Sequence, residues 1–166
     1  MLSLALQSGF QSAGIDTIEV GVMPSGGISY LTAESGATMG AIVSASHNPA
    51  ADNGIKFFGP DGFKLSDDAE AEIERIVAGD ITPAQPGNIG RAKRIEDGRG
   101  RYVEYAKTTF PAGKRLDGLR VVIDCANGAA SGHAAALLRR LGTEVEVLHD
   151  RPDGRNINDE IGRAHV

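Results

Sequence analysis

At 166 residues the chain is long enough for one ordinary domain or two small ones, and 41% hydrophobic with 23% charged residues is the composition of a soluble globular protein. A net charge of −5, no tryptophan and scattered Tyr and Phe supply neither the basic field nor the arginine–aromatic platform of a nucleic-acid binder, and no apolar run is long enough to cross a membrane. One cysteine excludes an intramolecular disulfide, and Leu2, Leu4 and Leu6 have no basic region before them, so no signal peptide and a cytoplasmic location are expected.

Residues 1–13 place Leu2, Leu6, Phe10 and Ala13 on one helical face, and Gly14 ends that helix. Residues 15–22 read as a strand, Pro24-Ser25-Gly26-Gly27 as a loop and residues 28–34 as a helix. The apolar run Gly40-Ala41-Ile42-Val43 predicts a buried strand that stops where polar residues and Asn48-Pro49 begin. Ser46 therefore falls at or just past a strand end, where the loops of open α/β sheets hold ligands. Pro49 pushes Asn48 toward an extended conformation, and Asn53-Gly54 predicts a tight reversal through positive φ. The chain then returns at Ile55 with Lys56 beside Ser46.

Ser66 caps a helix whose apolar set is Ala69, Ile73, Ile76 and Val77, with Asp67 and Asp68 in the favourable first turn. Gly79 closes it, and residues 81–90 form a turn-rich connector with Pro83 and Pro86. A linking helix over 101–110 and a break at Pro111-Ala112-Gly113 follow. Strand 119–124, a turn at Asn127-Gly128, helix 131–141 and strand 144–148 then make one βαβ unit with parallel strands. Cys125 after the apolar strand reads as a buried, inert thiol. Asp124-Cys125-Ala126-Asn127-Gly128 lacks both a GxGxxG and a Walker A pattern, so it reads as a structural turn.

The chemistry concentrates in Ser44-Ala45-Ser46-His47-Asn48-Pro49 and Asp52-Asn53-Gly54-Ile55-Lys56. A serine hydroxyl needs an activating neighbour, and a phosphoserine carries roughly −1.5 to −2 charge that needs cations beside it. His47 can donate to a phosphate oxygen, and Lys56 can hold charge or move a proton. The same residues have ordinary readings: Ser46 bonding to local backbone, His47 as a solvated loop residue, Lys56 as the outward position of an alternating strand.

Ser-Ala-Ser-His-Asn-Pro followed by Asp-Asn-Gly-Ile-Lys-Phe-Phe and Asp61-Gly62-Phe63-Lys64-Leu65 resembles the active-serine segment of the α-D-phosphohexomutase superfamily. The Phe-Phe and Asp-Gly-x-Lys-Leu continuation, and Gly154-Arg155-Asn156-Ile157-Asn158 further on, resemble its bacterial phosphoglucosamine mutase branch. The resemblance implies an α/β fold: a three-layer α/β/α domain with a mixed sheet, followed by a partial second α/β domain. It implies catalytic roles for Ser46, His47 and Lys56, with Ser46 phosphorylated and its phosphate a ligand of Mg²⁺, and Ser44 a mere neighbour. The implied reaction interconverts glucosamine 6-phosphate and glucosamine 1-phosphate through a sugar bisphosphate, on the way to UDP-N-acetylglucosamine and cell-wall precursors. The partner is thus an amino-sugar phosphate, with neither nucleic acid nor membrane. A phosphomannomutase or phosphoglucomutase of the same superfamily, and a non-catalytic phosphate-binding module, are the competing readings.

Compared with the family, residues 1–97 correspond to domain 1 without its N-terminal strand, 98–160 to a linking helix and an incomplete domain 2, and 161–166 to a non-native tail. The family's Asp-Gly-Asp-x-Asp metal loop has no counterpart in the chain, so an inactive fragment is expected. Ser25-Gly26 departs from the family's Pro-Thr-Pro loop.

Overall fold

The computed structural model describes residues 1–159; the expected non-native tail at 161–166 lies outside them. Helix α1 (Leu2–Ser12) leads into strand β1 (Thr17–Glu19), helix α2 (Ser25–Glu34), strands β2 (Gly40–Val43) and β3 (Ile55–Phe58), and helix α3 (Asp67–Val77). A 3-10 turn (Pro86–Asn88) precedes strand β4 (Ala92–Arg94) and helix α4 (Gly98–Thr108), and the described chain closes with β5 (Arg120–Asp124), α5 (His133–Arg140) and β6 (Glu144–Leu148).

The mixed α/β expectation holds, with the strands paired in three two-stranded ladders: β1–β4 parallel, β2–β3 antiparallel and β5–β6 parallel. Strands β2 and β6 fall where the β-branched runs placed them, and the β5–α5–β6 unit is parallel as its connection requires. Strand β4 was not foreseen, because Ala-Lys-Arg has no large or β-branched apolar residue and all three are exposed. Its pairing comes from β1 and from Asp16, whose carboxylate accepts the Arg91 N–H at 2.8 Å.

Residues 25–27 are a correction. Instead of a loop, Ser25-Gly26-Gly27 form the first turn of α2, where the Pro24 carbonyl accepts the N–H groups of Gly27 and Ile28. Glycine is a poor helix former, but a Cβ at Gly27 would collide with Met23 and press on Tyr102 of α4, so close packing overrides propensity. Helix α4 likewise starts three residues earlier than its apolar pattern suggests, because Gly98 is buried beneath Leu31, Met23 and the Val20 carbonyl.

Met23, Ile28 and Leu31 form the core, with Val20, Tyr30, Ile42, Phe58 and Tyr102 packed against it. Helix α4 spans both halves: Tyr105 stacks on Tyr30 of α2 with ring centroids 4.0 Å apart, while Glu104 pairs with Arg140 of α5. Ser66 caps α3 as expected, accepting the Ala69 N–H at 3.3 Å, but Ile76 and Val77 stay exposed. On α1, Leu2 and Ala13 are also exposed, so only Leu6 and Phe10 of the expected inward face are partly covered.

Beside Tyr102, His133 is buried, its Nδ1–H donating to the Ser131 carbonyl at 3.1 Å while its Nε2 has no partner among the described residues. Burial pushes its pKa below the usual 6.5, partly offset by the Ser131 bond and reinforced by Arg99. A histidine held neutral in the fold takes up its proton more readily when unfolded, so its stabilising contribution is complete above about 6.5 and lost as pH falls through the depressed folded value. Thermal melts from pH 7.5 downward should show a falling midpoint below about 6.5, and His133→Gln should flatten that slope. An unchanged slope in His133→Gln would assign the dependence to other groups.

Candidate functional site

Strand β2 delivers the chain from the core to Ser46, and strand β3 takes it back. The register pairs Gly40 with Phe58, Ile42 with Lys56 and Val43 with Ile55, and one step further the Ser44 N–H donates to the Gly54 carbonyl at 2.9 Å. Neither Asn53 nor Gly54 has a positive φ, and the Gly54 carbonyl is already bonded across the ladder to Ser44. The expected reversal there is corrected: the chain turns earlier, with the Asn48 N–H donating to the Ala45 carbonyl and the Asp52 N–H to the Pro49 carbonyl. A two-residue I′ hairpin turn needs positive φ at both central residues, and neither Asn53 nor Gly54 supplies it here.

The reversal instead puts the strain on the serine. Ser46 occupies the first central position of the 45–48 turn at φ 64°, a left-handed conformation uncommon outside glycine and costing on the order of 1–3 kcal/mol. Its N–H is held by the Ser44 hydroxyl at 3.0 Å, and its Oγ lies 3.3 Å from His47 Nδ1. The residue is exposed, as are His47 and Lys56. Strained backbone that presents a hydroxyl to solvent beside an imidazole suits group transfer better than simple capping.

The structure brings Ser46 and His47 into contact. Lys56 arrives differently: by alternation it shares the face of Ile42 and Phe58, and it stands diagonally across the ladder from Ser44. Its side chain is exposed, and it makes no ion pair among the described residues. The clefts lined by Arg120, Val122 and Glu146 and by Glu104, Phe110 and Leu141 include no residue of the serine loop, so chemistry rather than concavity marks the site.

Two further anchors were not foreseen. The Ser29 hydroxyl of α2 donates to the Gly62 carbonyl at 2.6 Å, tying the Asp61-Gly62 turn to the core helix. The Asn158 side-chain amide donates to the His47 carbonyl at 2.7 Å, from 111 residues away. The Asn-Ile-Asn motif was the only sequence signal for that contact, and it carried no indication of where its side chains reach.

The turn after β5 is structural, as expected. Ala126 and Asn127 have φ 56° and 49°, and the N–H groups of Ala126, Asn127 and Gly128 go to the Asp124 carboxylate and the His149 and Cys125 carbonyls. None of these amides is left for a phosphate. Asp124 is held below the usual carboxylate range by the Ala126 N–H and then by His149, whose Nδ1 lies 3.0 Å from its Oδ2. Cys125 is buried, and burial raises its thiol pKa, with Asp150 and Asp124 adding to the rise. It is the inert thiol expected.

Among the described residues no group of three or more His, Cys, Asp or Glu could hold a metal ion. A divalent cation prefers several oxygen ligands, so these residues do not by themselves make a Mg²⁺ site. Nor is any described helix long and apolar enough to cross a membrane.

Residues 1–83 match the family described as phosphoglucomutase/phosphomannomutase, alpha/beta/alpha domain I. A phosphoglucosamine mutase from Paracoccus denitrificans is 62% identical over 165 residues, covering 99% of this chain and 37% of the relative. The chain thus spans a little over a third of the length of the curated relatives it matches. Among solved structures, a phosphoglucomutase/phosphomannomutase family protein from Burkholderia thailandensis superposes with TM-score 0.74 at 27% identity, covering 93% of this chain and 34% of that one. An Aspergillus fumigatus N-acetylphosphoglucosamine mutase, solved with GlcNAc-6P and magnesium, shares the fold at TM-score 0.54 and 17% identity, covering 93% of this chain and 40% of its own. The chain belongs to the phosphoglucomutase/phosphomannomutase family, whose α/β/α domain I occupies its residues 1–83.

Proposed function

We propose that this chain carries the phosphoryl-transfer serine of a phosphoglucosamine mutase, and that the complete activity belongs to a polypeptide of its relatives' length. The observation that carries the reading is the strained, exposed Ser46 with its hydroxyl beside His47. The identity to proteins named phosphoglucosamine mutase supports the amino-sugar phosphate as substrate. On this reading residues 1–97 form the first domain and 98–160 begin the second, and the enzyme works in the cytoplasm on a step toward UDP-N-acetylglucosamine and cell-wall polymers.

In the transfer, a hydroxyl oxygen of glucosamine phosphate bonds to the phosphorus on Ser46 as the P–Oγ bond breaks. The sugar hydroxyl loses its proton to a base, and Ser46 Oγ takes up a proton. The product is a sugar bisphosphate, which turns over and returns its other phosphoryl group to Ser46 by the reverse bond changes. Lys56 and His47 are the groups assigned to proton movement and to balancing the phosphate charge. Ser46 is exposed enough to meet a substrate, His47 follows it in the same turn, and Lys56 stands on β3, the strand that takes the chain back from the loop.

The Aspergillus protein of the same fold is in complex with magnesium, which supports Mg²⁺ as the metal here. The phosphate on Ser46 is the one ligand these residues would supply to it, where the cation would balance phosphate charge.

The test has two parts. Mass spectrometry of the protein at its relatives' length should find phosphate on Ser46, and assays on glucosamine, glucose and mannose phosphates should show preference for glucosamine. Preference for mannose or glucose phosphate would move the protein to another branch, and an unphosphorylated, active protein would overturn the phosphoserine role. The 166-residue chain alone, given Mg²⁺ and a sugar bisphosphate primer, should show no turnover above background. Sustained turnover by that chain would refute the assignment of activity to a longer polypeptide.

A further inference from the structure

The Ser46 turn is held at both ends, and by different parts of the chain. Upstream, the Ser44 hydroxyl accepts the Ser46 N–H. Downstream, Asn158 Nδ2–H donates to the His47 carbonyl at 2.7 Å, so the peptide that follows the two central turn residues is fixed from outside the loop.

Asn158 is itself well anchored. Its N–H donates to the Ala126 carbonyl at 2.9 Å, and its own φ of 58° turns the chain sharply there. Around it, Asn127 donates to the Asn156 carbonyl and accepts the Arg151 N–H, while Asn156 donates to the Arg151 carbonyl at 3.0 Å. This carboxamide network spans the loops after β5 and β6, a rigid base formed at the ends of two paired strands. A left-handed serine persists only where its surroundings over-determine it, and to the loop's own Ser44 tie and Asn48–Ala45 bond the Asn158 carboxamide adds a hold from outside the loop.

We propose that Asn158 is a positioning residue for Ser46: its carboxamide clamps the His47 carbonyl and so holds the turn that presents the seryl oxygen for transfer. The role rests on the reading of Ser46 as the phosphoryl carrier. It gives the loop after β6 a part in the chemistry of a serine that lies after β2, across 111 residues of sequence.

Asn158→Asp tests the clamp with a side chain of the same shape that lacks the N–H donor, Asn158→Ala removes the side chain, and Asn158→Gln restores a donor. In hydrogen exchange on the 166-residue chain, the Asp and Ala variants should speed exchange at the Ser46 and Asn48 amides by about tenfold while β5 and β6 amides keep their rates. In the protein at its relatives' length, both should lower kcat by about tenfold with KM within about twofold, and the Gln variant should recover most of the loss. Wild-type exchange at Ser46 in the Asp variant overturns the clamp. So does a loss confined to KM, or to melting temperature with kcat intact, because that is a structural role alone. The exchange measurement does not depend on turnover, so a protein never phosphorylated on Ser46 would refute the mutase reading while the clamp is still decided by exchange.

Discussion

In the protein at its relatives' length, the proposed phosphoserine role makes Ser46→Ala lower kcat by at least about 10³-fold, because the phosphoryl carrier is removed. The protein-bound phosphate seen by mass spectrometry should vanish with it. The fold should survive, since Ser46 is exposed and the only side-chain contact of its Oγ among the described residues is the 3.3 Å approach to His47. The Ser44 hydroxyl still accepts the residue-46 N–H in the variant, so the turn keeps its upstream tie. Ser44→Ala gives the contrasting case: the carrier remains but the tie is lost, and a fall of only about tenfold is expected, with phosphate still present. If Ser46→Ala kept substantial activity, or if Ser44 carried the phosphate, the central assignment would be wrong.

Gly62→Ala should be the most destabilising single change in the loop region, by about 2–4 kcal/mol. Two independent terms contribute. Gly62 has φ 80°, where an alanine is strained, and an added Cβ would lie 2.5 Å from the backbone carbonyl oxygen of Ser29. Backbone cannot yield as a flexible side chain can, so the turn would have to lift away and stretch the Ser29–Gly62 hydrogen bond. A thermal melt should show the midpoint falling by roughly 5–15 °C. Ser29→Ala, which removes the hydrogen bond without adding bulk, should cost about 1 kcal/mol. A Gly62→Ala protein that melts within about 2 °C of the parent would show that the turn is free to move.

These two sites differ in how far the sequence alone could take them. Ser46 was legible because Gly40-Ala41-Ile42-Val43 is an apolar, β-branched run that ends at an Asn-Pro signal, and the residues after it match a known active-serine pattern. Gly62 was visible only as part of a branch-specific motif; the reason for glycine there is the Ser29 carbonyl, which belongs to a helix 33 residues away. The 25–27 segment failed for the same reason. Its two glycines argue against a helix until Met23 and Tyr102 are seen to fill the space their missing side chains leave. Strand β4 failed because pairing with β1, not any apolar pattern in Ala-Lys-Arg, makes it a strand.

What the sequence determined by itself is therefore what depends on near neighbours: the presence of helices α1, α3 and α5, the β-branched strands β2, β5 and β6, the Ser66 cap, and the gathering of Ser46, His47 and Lys56 into one segment. Only the tertiary structure decided how that segment is held: the left-handed φ at Ser46, the pairing of Lys56 with Ile42 across the ladder, and the reach of Asn158 to the His47 carbonyl. Local preference is set by bonds and side chains a few residues apart, whereas a strained turn such as that at Ser46 is also held by contacts that join distant parts of the chain.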